Sequence, residues 1–249
     1  MSEPARVLRI LPDPEALAKA AAEQIIAIAA HAVAEHDLFS IALSGGATPR
    51  RTYELLAELG GIEWSRTQVF WSDERAVPPD SPESNYRMAR EALLDRVGVP
   101  PDNVHRMPGE VVSLVAAADA YAAEIRAALG VNRTRTPRLD LVLLGLGPDG
   151  HTASLFPHTE VLHERHRLVA AVYVPERDLY RLTMTTKLIN AAANVMFLVA
   201  GAEKAAALAA TLEGPLDPDT YPAQLIHPED GTLYWFVDEA AASLLTTRA

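Results

Sequence analysis

From Leu139 to Pro157 the chain reads LDLVLLGLGPDGHTASLFP, a nearly continuous apolar run that breaks at closely spaced glycines. A strand with one wet face alternates polar and apolar residues. A continuous run therefore marks a strand covered on both faces, as in a parallel sheet flanked by helices. Similar short runs at Val7–Leu11, Phe39–Leu43, Thr67–Trp71, Val169–Val174, Arg181–Thr185, Val195–Val199 and Leu233–Val237 are further candidate strands beside Leu139–Leu144. Between the first two lies PDPEALAKAAAEQIIAIAAHAVAEH, where Leu17, Ala21, Ile25 and Ile28 recur at helical spacing and Asp13-Pro14 supplies an N-cap followed by proline at the first helical position. Helices are also expected at Pro49–Leu59, Asn85–Val97, Val111–Leu129 and Glu203–Thr211. This alternation predicts an α/β fold with a largely parallel sheet and helices on both faces. The turn-rich segments Val131–Arg138 and Glu213–Pro222 are short enough to be surface loops, so residues 1–249 are read as a single domain.

Composition removes several functions. The 33 acidic and 22 basic side chains give a net charge of −11, the wrong sign for gripping a nucleic-acid backbone. With no cysteine there is no disulfide, no thiolate metal site and no cysteine nucleophile. The opening MSEPARVLRILPD lacks the basic and apolar regions of a signal peptide, and no uninterrupted apolar run of about 18 residues follows, so no membrane partner and a cytoplasmic location are expected. The oligomeric state is left open, a monomer being admissible.

The glycine turn after Leu144 places His151 just beyond the carboxyl end of its strand, the edge at which open α/β sheets hold ligands. Histidine, with an ordinary pKa of about 6.5, is suited to take a proton from water and return it to a leaving oxygen. Asp149, two residues earlier, is placed to orient it. A plain loop histidine fits the same letters. Gly145, Gly147 and Gly150 also spell G-x-G-x-x-G. The acidic residue expected about 20 positions on is missing, however, and Pro148 removes a backbone N–H, so no dinucleotide is expected.

A second junction, FSIALSGGATPRRTYELLAEL, sets Ser44, Gly45, Gly46 and Thr48 before a helix opened by Pro49, which is either an anion-binding loop or a tight turn. Its ALSGG matches half of a nucleophile elbow, with Ala42 in place of the first glycine; a serine nucleophile ranks behind a histidine-activated water. In VFWSDERAVPPDSPESNYRM, Asp73, Glu74 and Arg75 follow a strand and the proline-rich loop ends at Asn85, which fits a binding rim or a solvated loop equally. Arg181 heads a strand in which Thr183 and Thr185 share its face. Lys204 sits in the first turn of a helix behind Gly201, at the positive end, where a lysine serves an anion or is simply exposed. His158, His163 and His166 do not form H-E-x-x-H, and no metal is expected.

Taken together, SGGATP, SDERAVPPDSPESN, GLGPDGHTASLFP and RLTMTTKLIN followed by GAEK resemble, in order, the 6-phosphogluconolactonase family, from the first strand to Trp235 and Asp238. Related glucosamine-6-phosphate deaminases share the glycine loop and DGH but continue into an apolar residue, Asn and Glu-Pro, where this chain has Ser154-Leu155-Phe156-Pro157. The resemblance implies a Rossmann-like fold, no metal or nucleotide cofactor, and hydrolysis of a phosphorylated sugar lactone, 6-phosphogluconolactone, in the oxidative pentose phosphate pathway. It also implies His151 as general base, Arg75 as a substrate-binding and charge-stabilising group, Arg181 and Lys204 as phosphate ligands, and Ser44, Gly45, Gly46 and Thr48 as lining of the same pocket. Ala47 and Gln224 depart from the pattern, where a hydroxyl residue and a serine are common. Two rival functions remain: a sugar-phosphate isomerase or deaminase on the same scaffold, and a non-catalytic sugar-phosphate-binding module.

Overall fold

The computed structural model describes residues 5–175 and 178–247. Strands β1 (Ala5–Leu11), β2 (Phe39–Leu43), β3 (Thr67–Trp71), β5 (Leu141–Leu144), β8 (Asn194–Val199) and β9 (Thr232–Asp238) form an all-parallel sheet in the order β1-β9-β8-β5-β2-β3. Every residue of β2 and β5 is buried, as continuous apolar sequence requires of strands covered on both faces. The chain steps from β2 outward to β3, then returns to place β5 on the other side of β2. Strand order therefore reverses between β2 and β5, and the loops leaving their carboxyl ends open a crevice there.

Helix α1 (Pro14–His36) begins where the Asp13 carboxylate accepts the Ala16 N–H at 2.8 Å and ends at Asp37, whose φ of 67° stops the helix in the left-handed region. By length and composition α1 could cross a bilayer, contrary to expectation; Leu17, Ala18, Ala21, Ile25 and Ala29 are instead buried in the core. Helix α2 (Ala47–Leu59) packs on α1 and starts at Gly46, whose φ of 113° favours glycine. Helices α3 (Asn85–Ala92), α4 (Leu114–Ala128), α5 (Thr186–Ile189) and α6 (Ala205–Glu213) complete the α-helices of the described residues, beside short 3-10 turns.

The main departure from the expected architecture is a second, antiparallel sheet, β4-β7-β6, made of β4 (Asp73–Arg75), β7 (Leu179–Met184) and β6 (Val169–Val174). Strand β4 escapes a hydrophobic scan because its three residues are Asp, Glu and Arg. The turn into it is tied to β2, since Ser72 donates its N–H and its hydroxyl to the Leu43 carbonyl at 2.8 and 3.1 Å. The Met184 N–H then donates to the Ser72 carbonyl at 2.7 Å. These bonds carry the small sheet onto the crevice.

Other boundaries shift for local reasons. Leu93 leaves helical space (φ −134°, ψ −63°), so Asn85–Val97 is α3 followed by a 3-10 turn at Leu94–Arg96. Ser113 caps α4, which starts at Leu114 rather than Val111. Strand β7 ends at Met184, and Thr185 leads into α5 rather than continuing the face of Arg181. Lys204 closes a 3-10 turn, Ala202–Lys204, and stands at the N-cap of α6 instead of in its first turn.

Candidate active site

The loops leaving β2, β3, β5 and β8 at the carboxyl edge carry the residues the sequence singles out. In the loop after β5, the Gly150 N–H donates to the Gly147 carbonyl at 3.0 Å and the Gly147 N–H to the His151 carbonyl at 2.8 Å, folding the histidine back over the turn. A Cβ on Gly147 would lie 2.1 Å from His151 Nδ1 and 2.4 Å from Asp149 Oδ1. Glycine is thus required there by close approach. Gly150 takes φ +80°, and a Cβ there would meet Tyr221 at 2.9 Å, whereas a Cβ on Gly145 would meet nothing within 4 Å.

His151 Nδ1 is 2.5 Å from Asp149 Oδ1. Burial alone would raise the Asp149 carboxyl; the hydrogen bond and charge of His151 outweigh it and hold the carboxyl at about 2. A carboxylate accepts only, so the proton between them belongs to Nδ1 and the neutral ring keeps its lone pair on Nε2. Among the described residues Nε2 makes no hydrogen bond. The His151 ring stacks on Phe156, with centroids 4.1 Å apart and planes 23° apart. The Arg181 guanidinium carbon stands over the same Phe156 ring at 5.4 Å.

Arg181 and Arg75 are directly opposed across β7 and β4, an arrangement that like charges resist unless anions intervene. One anion is Asp73, whose Oδ2 is 3.6 Å from Arg181 Nη1. Asp73 is 5% exposed and fully engaged: Oδ2 accepts the Ser154 hydroxyl at 2.6 Å, and Oδ1 accepts the Asn85 amide at 3.1 Å. The Ser154 N–H donates to Thr183 Oγ1 at 3.2 Å. Asn85 also packs on the glycine loop after β2, where a Cβ on Gly45 would fall 2.0 Å from its Oδ1. Asp73 thus joins β4, the start of α3, the histidine loop and β7.

Arg75 donates through Nη1 to the Glu83 carbonyl. Beside it, Glu74 is buried and accepts the N–H groups of Arg75, Asn85 and Tyr86, each at 2.8 Å, and the Ser84 hydroxyl at 3.0 Å. Burial pushes its carboxyl up against the pull of these donors. The chain's own carboxylate therefore occupies the amino end of α3. In the loop after β2, the Ser44 N–H donates to the Tyr53 hydroxyl and that hydroxyl to the Ser44 carbonyl, both at 2.9 Å, so α2 clamps the loop. Among the described residues Ser44 Oγ is buried without a hydrogen-bond partner, and no histidine bonds to it to make it a nucleophile. Thr48 and Ala47 border a cavity of about 300 Å³ with Arg51 and Gly201, next to the turn that ends at Lys204. Among the described residues Lys204 makes no ion pair.

Gln224 faces no chemistry: it accepts the Asp217 N–H at 2.7 Å and donates to the Ala210 and Pro215 carbonyls, both at 3.0 Å. His158, His163 and His166 border a separate groove beside β6. No three metal-binding side chains converge among the described residues. Sequence reasoning gave no role to Tyr53, Ser154 or Phe156, and offered Glu74 as a binding-rim residue where the structure buries it under the N–H groups of Arg75, Asn85 and Tyr86. Only Ser154 and Phe156 had a signal, since both lie where the lactonase-like ending departs from the deaminase one.

The sequence model described as glucosamine-6-phosphate isomerases/6-phosphogluconolactonase matches residues 12–235. The chain is 41% identical over 242 residues to a 6-phosphogluconolactonase of Nostoc sp., covering 97% of this chain and 99% of that protein. It is 46% identical over 215 residues to a 6-phosphogluconolactonase of Synechocystis sp., covering 86% and 88%. The structure of a 6-phosphogluconolactonase from Trypanosoma cruzi superposes with a TM-score of 0.84 at 32% identity, over 99% of each chain.

Proposed function

This chain belongs to the 6-phosphogluconolactonase family and hydrolyses the lactone of 6-phosphogluconate, and from that premise we propose that it does so with water activated by His151. The observation that carries the proposal is the Asp149–His151 pair, which fixes the tautomer and leaves Nε2 as the basic nitrogen at the sheet edge. In the proposed sequence Nε2 takes a proton from water as its oxygen attacks the lactone carbonyl. Arg75 or backbone N–H groups meet the tetrahedral oxyanion. The intermediate then collapses with cleavage of the ring C–O bond, and the imidazolium returns its proton to the departing ring oxygen, leaving a hydroxyl and a carboxylic acid that ionises to release the proton the assay reads. Asp149 stays ionised throughout and supports the transient imidazolium.

Arg181, Lys204 and the Ser44–Thr48 loop are the proposed phosphate ligands. Anchoring the phosphate fixes the carbonyl beside the water, which is most of the task for so reactive an ester. An isomerase or deaminase would need a second free carboxylate at the centre. Against that reading, the ring of Phe156 lies against His151, and both oxygens of Asp73 are committed to Ser154 and Asn85. The test is acid release from freshly generated 6-phosphogluconolactone with spontaneous hydrolysis subtracted. His151→Ala should lose about 10² to 10⁴ in rate; wild-type turnover in that variant would remove His151 from the mechanism.

A further inference from the structure

We propose that Phe156 is a positioning residue that lets two cations share one site: its ring receives His151 when protonated and Arg181 permanently, and so sets the pH at which the base is armed. The inference rests on the reading of His151 as general base. Phe156 is 4% exposed, stacked on the imidazole at 4.1 Å and standing under the Arg181 guanidinium at 5.4 Å. The contacts run pairwise from Asp149 to His151, from His151 to Phe156, from Phe156 to Arg181 and from Arg181 to Asp73. An aromatic face carries negative charge density, so it attracts a guanidinium and an imidazolium alike.

Without the ring, the proton that His151 collects from water would arrive in the neighbourhood of an arginine with no π system shared by the two. With it, each cation has a carboxylate and a π system as partners. Among the described residues the charged groups tied to the imidazole or to its ring partner are Asp149 on its own loop and Arg181 of β7, which pairs with Asp73 of β4; Tyr221 packs on Gly150 next to His151 in sequence. Of these, Asp149 and the ring favour the imidazolium and Arg181 opposes it. A carboxylate at position 156, as in the Glu-Pro ending of the deaminases, would favour it further and supply a second acid/base group. The apolar ring stabilises the cation without adding a proton acceptor.

The experiment compares Phe156→Leu, which fills similar space without a π system, with Phe156→Tyr and Phe156→Trp. The readout is the acid limb of kcat/KM between pH 5 and 7.5, where spontaneous lactone opening is slow enough to subtract. Loss of the ring should move the limb of Phe156→Leu to lower pH by about half a unit to one unit, with Tyr or Trp restoring it. A limb unmoved in Phe156→Leu, or moved equally in the aromatic variants, would leave Phe156 a space-filling residue and overturn the proposal. His151→Gln run alongside separates the two readings. If its residual activity keeps the same limb, the general-base assignment fails. If the limb vanishes while Phe156→Leu is unshifted, only the role of Phe156 fails. Thermal melts of each variant confirm that a folded enzyme is compared.

Discussion

Gly147→Ala should separate activity from stability more sharply than any other single change in the loop. The added Cβ would fall 2.1 Å from His151 Nδ1, 2.3 Å from Cε1 and 2.4 Å from Asp149 Oδ1, distances no real Cβ tolerates. What must yield is the functional pair itself, because the obstructing atoms are side-chain tips. The backbone of Gly147 is not in the left-handed region, so alanine adds no dihedral strain, and the Gly147 N–H to His151 carbonyl bond can persist. The lost ion pair has one exposed partner, Asp149, and such pairs contribute about 1 kcal/mol or less to folding. For a chain of this size that is roughly 2 to 4 °C in Tm. Catalysis has no such cushion. A base displaced by even about 1 Å costs on the order of 10² in rate, and complete loss of general-base help about 10² to 10⁴. The assay pairs initial-rate acid release with a thermal melt. Retention of more than half of wild-type kcat/KM would refute the claim that the 2.5 Å Asp149–His151 geometry is the working one. A fall in Tm of ten degrees or more would show instead that the turn needs glycine for folding.

Ser154→Ala removes a buried 2.6 Å bond to Asp73 and frees the carboxylate to move with Arg181, so KM for the lactone should rise roughly tenfold while kcat falls less, an unpaired buried acceptor being worth about 1–3 kcal/mol. An unchanged KM would show that Asp73 is held without it. The Asp149 carboxyl, held at about 2 from an ordinary 3.8, contributes stability that is fully present above about pH 4 and is lost as pH falls through 2. The difference in urea midpoint between the wild type and Asp149→Asn should therefore close as pH falls from about 4 to 2; a gap that widens over that range would reverse the sign of the argument. Gln224→Ser should lower Tm by several degrees through loss of its bonds to Asp217, Ala210 and Pro215, yet leave kcat and KM within about twofold.

The parts of the fold that could be read in advance are those whose cause is local. Strands β2, β3 and β6 have the bounds their apolar runs predict, most plainly in β2, where burial on both faces is written in consecutive residues. The start of α1 was readable for the same reason, since Asp13 and Pro14 act on N–H groups within one turn. Strand β4 was not readable. Its three charged residues form a strand only because β7 supplies the partner, more than a hundred positions later, and because Ser72 ties its base to β2. Helix α3 was overestimated because propensity alone does not register the break at Leu93.

The candidate site divides along the same line. Side chains offered to the crevice announce themselves, since glycines, a histidine and basic residues at strand ends are unusual there. The supporting bonds do not, because their partners are distant in sequence: Tyr53 acts on Ser44 nine residues away, and Asn85 and Ser154, which the sequence marks only as site or motif residues, act on Asp73 twelve and eighty-one away. A buried tyrosine or serine at such positions reads as ordinary core. Yet a carboxylate buried as deeply as Asp73 persists only if its oxygens are matched by donors and cations, so each support is as constrained as the residue it serves. Arg181 faces Arg75 across the strands, and the pairing holds because Asp73, fixed by Ser154 and Asn85, stands beside one of them. The sequence displays Arg181 as a basic residue at the head of a strand; only the assembled neighbourhood shows why its charge can be kept there.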